Sequence, residues 1–322
     1  MALIVQKYGG TSVGSIEKIQ NVAKKVIEEH KKGNRMVVVL SAMAGETNKL
    51  IELAHQMTPD PDTRELDVLM ATGEQVSIAL FSMAVKSMGY DACSLLGFQV
   101  GIRTDQIYGK ARIQDIKTER VFQELDKNRI VSIAGFQGLD EEGNITTLGR
   151  GGSDTIAVAM AAALKADVCE IYTDVTGVFT TDPNICPKAR KMDYISYEEM
   201  LEMASLGAKV LEIRSVEFAK KFNVPIHVRS TFSNERGTMV VAETKDMEKI
   251  TVSGIAFNKN EARITISKVP DKPGIAASIF NPLVKAGIVV DMIVQNTSEE
   301  GLTDLTFTVA KADFYKSMKL LS

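Results

Sequence analysis

The octet Lys7-Tyr8-Gly9-Gly10-Thr11-Ser12-Val13-Gly14 holds the first group that could do chemistry. It follows the apolar run Ala2 to Val5 and precedes Ile16, Ile19, Val22, Ala23, Val26 and Ile27, spaced like one face of a helix. Glycines between a strand and a helix let backbone N–H groups approach an anion. The helix end adds partial positive charge and the lysine a full one, so the chemistry suggested is phosphate binding. The spacing is neither that of a Walker A loop nor G-x-G-x-x-G, and a Gly-Gly turn is also an ordinary connection.

A second glycine turn, Gly149-Arg150-Gly151-Gly152-Ser153-Asp154, precedes an alanine-rich helical run from Thr155 to Leu164. The Arg150 guanidinium can hold a carboxylate through two parallel hydrogen bonds, while Ser153 or Asp154 could equally be the N-cap. Lys209 follows Gly207-Ala208 and precedes an apolar helical pattern to Phe222, which predicts a lysine at a helix start. It could as well be a solvated surface lysine. The segment from Tyr172 to Pro183 leaves a strand and enters a loop with Asp and Gly in turn positions. Ser41 to Asn48 follows a second strand, and Ala71-Thr72-Gly73-Glu74 lies in a helical pattern.

These residues need elements to hold them. Strands are predicted at Met36–Leu40, Ile130–Ala134, Val168–Tyr172 and Pro225–Val228, with helical spacing from Leu69 to Val85. Asp140 to Asn144 is predicted to be a hairpin tip. Strands alternating with helices imply an α/β fold, a mostly parallel central sheet with helices on both faces. Lys7, Ser41 and Thr173 all fall at C-terminal strand ends, where ligands bind on such sheets. After a polar stretch from Ser233 to Lys249 the pattern becomes strand (Ala262–Val269), helix (Ile275–Ala286), strand (Ile288–Val294), strand (Leu302–Val309). This is most of an α+β ferredoxin-like unit, truncated where the chain stops at Ser322. The expected domains are 1–245 and 246–322.

Over 322 residues, 45% hydrophobic and 25% charged, a net charge of −3 gives no nucleic-acid footprint. No membrane-length apolar run or signal peptide is read, so the expected compartment is the cytoplasm. Cys93, Cys169 and Cys186 lack a C-x-x-C spacing and are expected to be packing residues. His30, His55 and His227 form no metal-spaced cluster, and no protein-held metal is expected.

Together, K-Y-G-G-T-S, R-G-G-S-D and the T-D-V-x-G-V-x-x-x-D-P pattern from Thr173 to Pro183 resemble the aspartate kinases, a branch of the amino-acid kinase family. The resemblance covers nearly the whole chain. It implies Lys7, Asp154 and Lys209 as catalytic residues. It implies an ATP site from Lys7, Tyr8, Gly9, Gly10, Thr173, Asp174, Phe179, Thr180, Thr181, Asp182, Pro183, Asn184, Lys209 and Val210. For L-aspartate it implies Ser41, Thr47, Glu74, Arg150, Gly151, Gly152, Ser153 and Asp154, with Arg150 on the α-carboxylate and Glu74 on the ammonium. The family pattern continues after Leu211 with His-Pro, where this chain has Glu212-Ile213. The Val269–Ala276 turn resembles the effector loop of an ACT domain. It implies an effector site from Asp271, Lys272, Pro273, Gly274, Ile275, Ala276, Val290, Asp291 and Gln295, taking lysine and/or threonine, in a homo-oligomer (dimer or tetramer) joined through ACT regions.

The implied reaction moves the γ-phosphoryl of ATP, with Mg²⁺ carried on its phosphates, to the β-carboxylate of L-aspartate. The product is 4-phospho-L-aspartate, leading toward lysine, threonine and methionine. Alternatives are a catalytically silent amino-acid sensor or a sister kinase of acetylglutamate, glutamate or UMP.

Overall fold

A computed structural model describes residues 1–208, 210–243, 254–296 and 301–321. The chain opens with β1 (Leu3–Tyr8), α1 (Ile16–Lys31) and β2 (Arg35–Leu40), then α2 (Glu46–Met57), α3 (Thr63–Met70) and α4 (Thr72–Ser87). There follow β3 (Ala92–Leu95), α5 (Gly97–Val100), β4 (Ile102–Thr104), β5 (Ile113–Ile116), α6 (Glu119–Leu125) and β6 (Ile130–Ala134). The hairpin β7 (Gln137–Leu139) and β8 (Ile145–Thr147) leads to α7 (Gly152–Leu164) and β9 (Val168–Thr173). The first unit continues through β10 (Tyr194–Ser196), α8 (Tyr197–Ser205), α9 (Ile213–Phe222), β11 (Ile226–Ser230) and β12 (Thr238–Val241).

The main sheet runs β10-β12-β11-β9-β1-β2-β6-β3 and is parallel except where β11 meets β12, the α/β architecture expected. Side chains alternate along each strand, so even the continuous apolar runs divide between two faces. Val5, Val37, Val39, Val131 and Ile133 pack with α7 and α9, whereas Ile4, Met36, Val38 and Leu40 pack with α1 and α4. Lys7, two residues beyond Val5, therefore shares the α7 face; Gln6 and Tyr8 share the α1 face. A separate sheet, β5-β4-β7-β8, carries the predicted hairpin tip. Its other strands have three or four residues, too short for periodicity to mark.

Three local expectations change. The first strand reaches Tyr8, so Lys7 belongs to β1 and not to the turn. The N-cap of α7 is Gly151, at φ 71°, so neither Ser153 nor Asp154 caps it and both sit in its first turn. The helix expected from Lys209 begins at Ile213 after the N-cap Glu212; Lys209 itself lies outside the described residues. The stretch Thr63–Ser87 is apolar and long enough to cross a membrane by composition alone. It is, however, two helices meeting at Ala71, with buried Asp67 and Glu74 turned into the protein.

Contacts divide the chain into Met1–Ala256 and Phe257–Ser322. The second unit has β13 (Glu261–Pro270), α10 (Ile275–Lys285), β14 (Val290–Gln295), β15 (Leu302–Ala310) and α11 (Phe314–Leu321). Its antiparallel sheet runs β13-β15-β14. Ile264, Leu283, Ile288, Phe307 and Val309 form its core. The edge strand β14 leaves Met292, Ile293 and Val294 exposed.

Candidate active site

The Lys7 ammonium meets the Asp154 carboxylate at 2.6 Å, joining the end of β1 to the first turn of α7. Both side chains are largely buried, so the pair is fixed in place and not a screened surface contact. A strand end and a helix start whose paired residues lie 147 positions apart in sequence thus close on one point. The turn after β1 is tight, with Ser12 N–H donating to Gly9 O at 2.9 Å. A Cβ on Gly10 would stand 2.9 Å from the Ala42 carbonyl oxygen, so only glycine lets these two strand-end loops approach.

On the other side of β1, the loop after β2 is tied to α4. Ala42 N–H donates to Glu74 Oε1 at 2.9 Å, and a Cβ on Gly73 would stand 2.7 Å from that of Ala42. Glu74 is 3% exposed and its Oε2 has no hydrogen-bond partner. Burial pushes its carboxyl up to about 7, against the opposing pull of the Ala42 N–H. An acceptor atom buried and unused in this way is suited to a cationic ligand group. Ser41 sits in the same loop, and Thr47 in the first turn of α2 behind Gly45, at φ 86°.

The Arg150 turn is clamped from several directions. Arg214 donates to Leu148 O at 2.8 Å and to Ala111 O at 2.9 Å. Buried Asp67 accepts from Thr147 N–H at 2.7 Å, Thr147 Oγ1 at 2.6 Å and Gly109 N–H at 2.9 Å. A Cβ on Gly135, at the end of β6, would fall 2.5 Å from Ser153 Oγ. Arg150 itself is exposed and makes no ion pair among the described residues, leaving its guanidinium available to an anion. Glu212 packs on Gly151, and burial together with Asp154 raises its carboxyl above the usual range. Asp67, Gly135 and Arg214 carry no sequence signal that singles them out. Only the departure from His-Pro drew attention to Glu212.

Thr173 ends β9, donates from Oγ1 to Asp174 at 3.0 Å and accepts from Thr231 N–H at 2.9 Å. Beyond it Phe179 bridges to Lys191, Thr180 N–H donates to Arg190 O, and Asp182 caps Asn184 N–H at 2.8 Å. Thr181 and Pro183 belong to this ordered loop, and Val210 to the turn before α9. No group of His, Cys, Asp and Glu among the described residues could hold a metal ion. In the second unit, Asp271 to Gly274 connect β13 to α10, with Gly274 at φ 91° as the N-cap and Ile275 and Ala276 opening the helix. Asp271 Oδ1 lies 3.5 Å from Gln295 Nε2 on β14, while Val290 and Asp291 lie at the other end of that strand.

The architecture and the paired glycine turns define a class, and comparison with known proteins identifies it. Residues 2–230 match the amino acid kinase family and residues 263–321 the ACT domain. The chain belongs to the amino acid kinase family. It is 56% identical to an aspartate kinase of Pseudomonas putida, over all of this chain and 78% of that protein. Among solved structures it resembles Synechocystis aspartate kinase at 44% identity and TM-score 0.70, covering 99% of this chain and 54% of that one. It also resembles E. coli aspartokinase III. The complex with aspartate and ADP gives 28% identity, TM-score 0.80 and 95% and 78% coverage. The complex with lysine and aspartate gives 26%, 0.73 and 95% and 79%.

Proposed function

We propose that this chain is an aspartate kinase, transferring the γ-phosphoryl of ATP to the β-carboxylate of L-aspartate. The observation that carries the reading is the buried Lys7–Asp154 pair at the meeting of the two glycine turns. The acceptor carboxylate is ionised at neutral pH and needs no general base. The obstacle is electrostatic, because two unit charges about 4 Å apart repel by roughly 4 kcal/mol at an effective dielectric near 20.

Lys7 stands ready at the strand end to meet the transferring phosphoryl, with Asp154 holding its ammonium there. Arg150 takes the α-carboxylate and Glu74 the ammonium of aspartate, aided by Ser41, Thr47 and the Gly151–Ser153 backbone. The nucleotide lies along Tyr8–Gly10, Thr173–Asp174 and Phe179–Asn184, reaching Val210; Lys209 joins Lys7 as the second lysine. Asp154 offsets the charge of Lys7, so Lys209 and charge carried on the nucleotide add to what Lys7 supplies. Mg²⁺ on the ATP phosphates is that charge, and MgATP is the species the site fits.

The ACT unit is read as a regulatory site for lysine and/or threonine at Asp271–Ala276, Val290, Asp291 and Gln295. The exposed apolar edge strand β14 favours side-by-side pairing of ACT units in a dimer or tetramer. A cytoplasmic enzyme of amino-acid biosynthesis is the corresponding setting.

Incubation with MgATP and L-aspartate, trapping acyl phosphate with hydroxylamine, tests the reading. Aspartate-dependent hydroxamate is expected. Turnover with acetylglutamate, glutamate or UMP in its place, or effector binding without turnover, overturns it.

A further inference from the structure

A cavity of about 470 Å³ lies on the α1 face of the main sheet, the opposite face from Lys7 and Asp154. It opens between α1 and the loop after β11, and its lining includes Lys18, Asn21, Lys25, Phe232, Ser233 and Asn234. No carboxylate lines it among the described residues. Lys18 and Lys25 sit seven positions apart on α1, so both project from one side of the helix. Each ammonium donates to a backbone carbonyl, Lys18 to Thr11 O at 3.0 Å and Lys25 to Thr231 O at 2.6 Å. That uses one donor of three, and neither makes an ion pair among the described residues.

The nearest strong cation already has its partner. Arg229 donates to buried Glu170 at 3.0 Å, and Glu170 also accepts from Gln6 at 2.7 Å and Tyr172 at 3.2 Å. Glu170 is thus committed below the cavity and neutralises neither lysine. Lys25 has its pKa lowered, first by burial and then by Arg229, and the opposing pull of Glu28 on the same helix does not outweigh them. At the rim, Phe232 is 56% exposed, with Lys18 Nζ 5.4 Å from its ring centre.

We infer that this cavity is a second anion site, taking a phosphate group between Lys18 and Lys25 while Phe232 offers a flat apolar face to whatever carries the phosphate. A tetrahedral dianion suits the setting, for its oxygens can accept from both ammonium groups and from the Asn21, Ser233 and Asn234 side chains together. The volume falls in the range of small-molecule sites and exceeds what a bare phosphate fills. The site goes beyond the catalytic reading and stands whatever the acceptor substrate is. It borders the catalytic loops, since Ser12 Oγ and Thr231 Oγ1 are 2.6 Å apart and Thr231 N–H holds Thr173 O.

The test is calorimetric titration of the full chain, held in saturating ADP, with inorganic phosphate and with phenyl phosphate. Binding of either is expected, weakening by about tenfold in Lys18→Gln and in Lys25→Gln, the loss of roughly one charge-assisted hydrogen bond. Tighter binding of phenyl phosphate identifies a phosphorylated organic ligand; equal binding identifies the free anion. Lys18→Gln keeps the test independent of folding, because Lys18 is only partly buried at the helix surface, and thermal melting checks both variants. The proposal is overturned if neither anion binds beside ADP, if ADP displaces both, or if both variants bind as the parent does.

Discussion

Replacing Glu74 by Gln should remove a titration that couples proton release to aspartate binding. The carboxyl is 3% exposed and its pKa stands at about 7, against an ordinary 4.5. The shift corresponds to roughly 3 kcal/mol favouring the protonated form in the folded chain. Because the folded pKa is raised, that stability is fully present below pH 4.5 and is lost as pH rises through about 7. Glu74→Gln keeps an oxygen for the Ala42 N–H and cannot ionise. Relative to the parent it should gain up to about 3 kcal/mol between pH 4.5 and pH 8, read from urea midpoints across that range. Function moves the other way, for an ammonium ligand prefers the carboxylate. Below pH 7 the KM for aspartate should rise by up to about tenfold per pH unit in the parent. In Glu74→Gln it should be high and flat. Calorimetry of aspartate binding at pH 7, in buffers of different ionisation enthalpy, should show about half a proton released, and none from the variant. Parallel pH profiles in parent and variant, in stability and KM alike, would refute the argument.

Lys7→Met should lower kcat by about 10²–10³ with the circular dichroism spectrum retained; a loss under tenfold would remove Lys7 from the transition state. Gly135→Ala sets a Cβ 2.5 Å from Ser153 Oγ and 2.9 Å from Leu40 O, so kcat/KM for aspartate should fall at least about tenfold, with about 1–3 kcal/mol of destabilisation. Gly143→Ala is the control, with open space at φ 86°, and should cost about 1 kcal/mol without changing kcat/KM. Equal kinetic effects from the two alanines would mean the β6 end does not shape the acceptor pocket.

The long, strongly patterned elements were legible because their signal is local. Ile19, Val22, Val26 and Ile27 mark the buried face of α1, and Ile130–Ala134 coincides with β6. Short elements were not legible: β4, β7, β8 and β10 have three residues each and exist through pairing partners that periodicity cannot register. The site divided in the same way. Glycine turns announce themselves, since few other residues tolerate φ near +71° at Gly151 or the close approach at Gly10. The contacts that give those turns their chemistry are long-range. Glu74 reaches Ala42 across 32 residues, and Arg214 reaches Leu148 across 66. Asp154 looked like an N-cap because a short polar residue before an apolar helix usually is one. Gly151 takes that position, which frees the Asp154 carboxylate to pair with Lys7.

The alternation of β1 explains why charge can be concentrated here without unfolding the sheet. Gln6, Lys7 and Tyr8 are consecutive and buried or nearly so, an arrangement that would be costly if all three faced one way. Lys7 turns to the α7 face and finds Asp154. Gln6 and Tyr8 turn to the α1 face, where Gln6 bonds Glu170, Tyr8 bonds Gln6 at 3.1 Å, and the Tyr8 and Tyr172 rings stack at 4.6 Å. That second network is satisfied, and His227, then Arg229 and Gln6, hold the Glu170 carboxyl down at about 2 despite its burial. Behind Lys7 the strand end is therefore tied by a satisfied network, while Lys7 on the α7 face, exposed Arg150 and, from α4, a half-ionised Glu74 remain open to ligand. Rigidity behind the reacting face is what preorganised cations require, because a lysine free to relax would surrender much of its advantage when the phosphoryl charge develops.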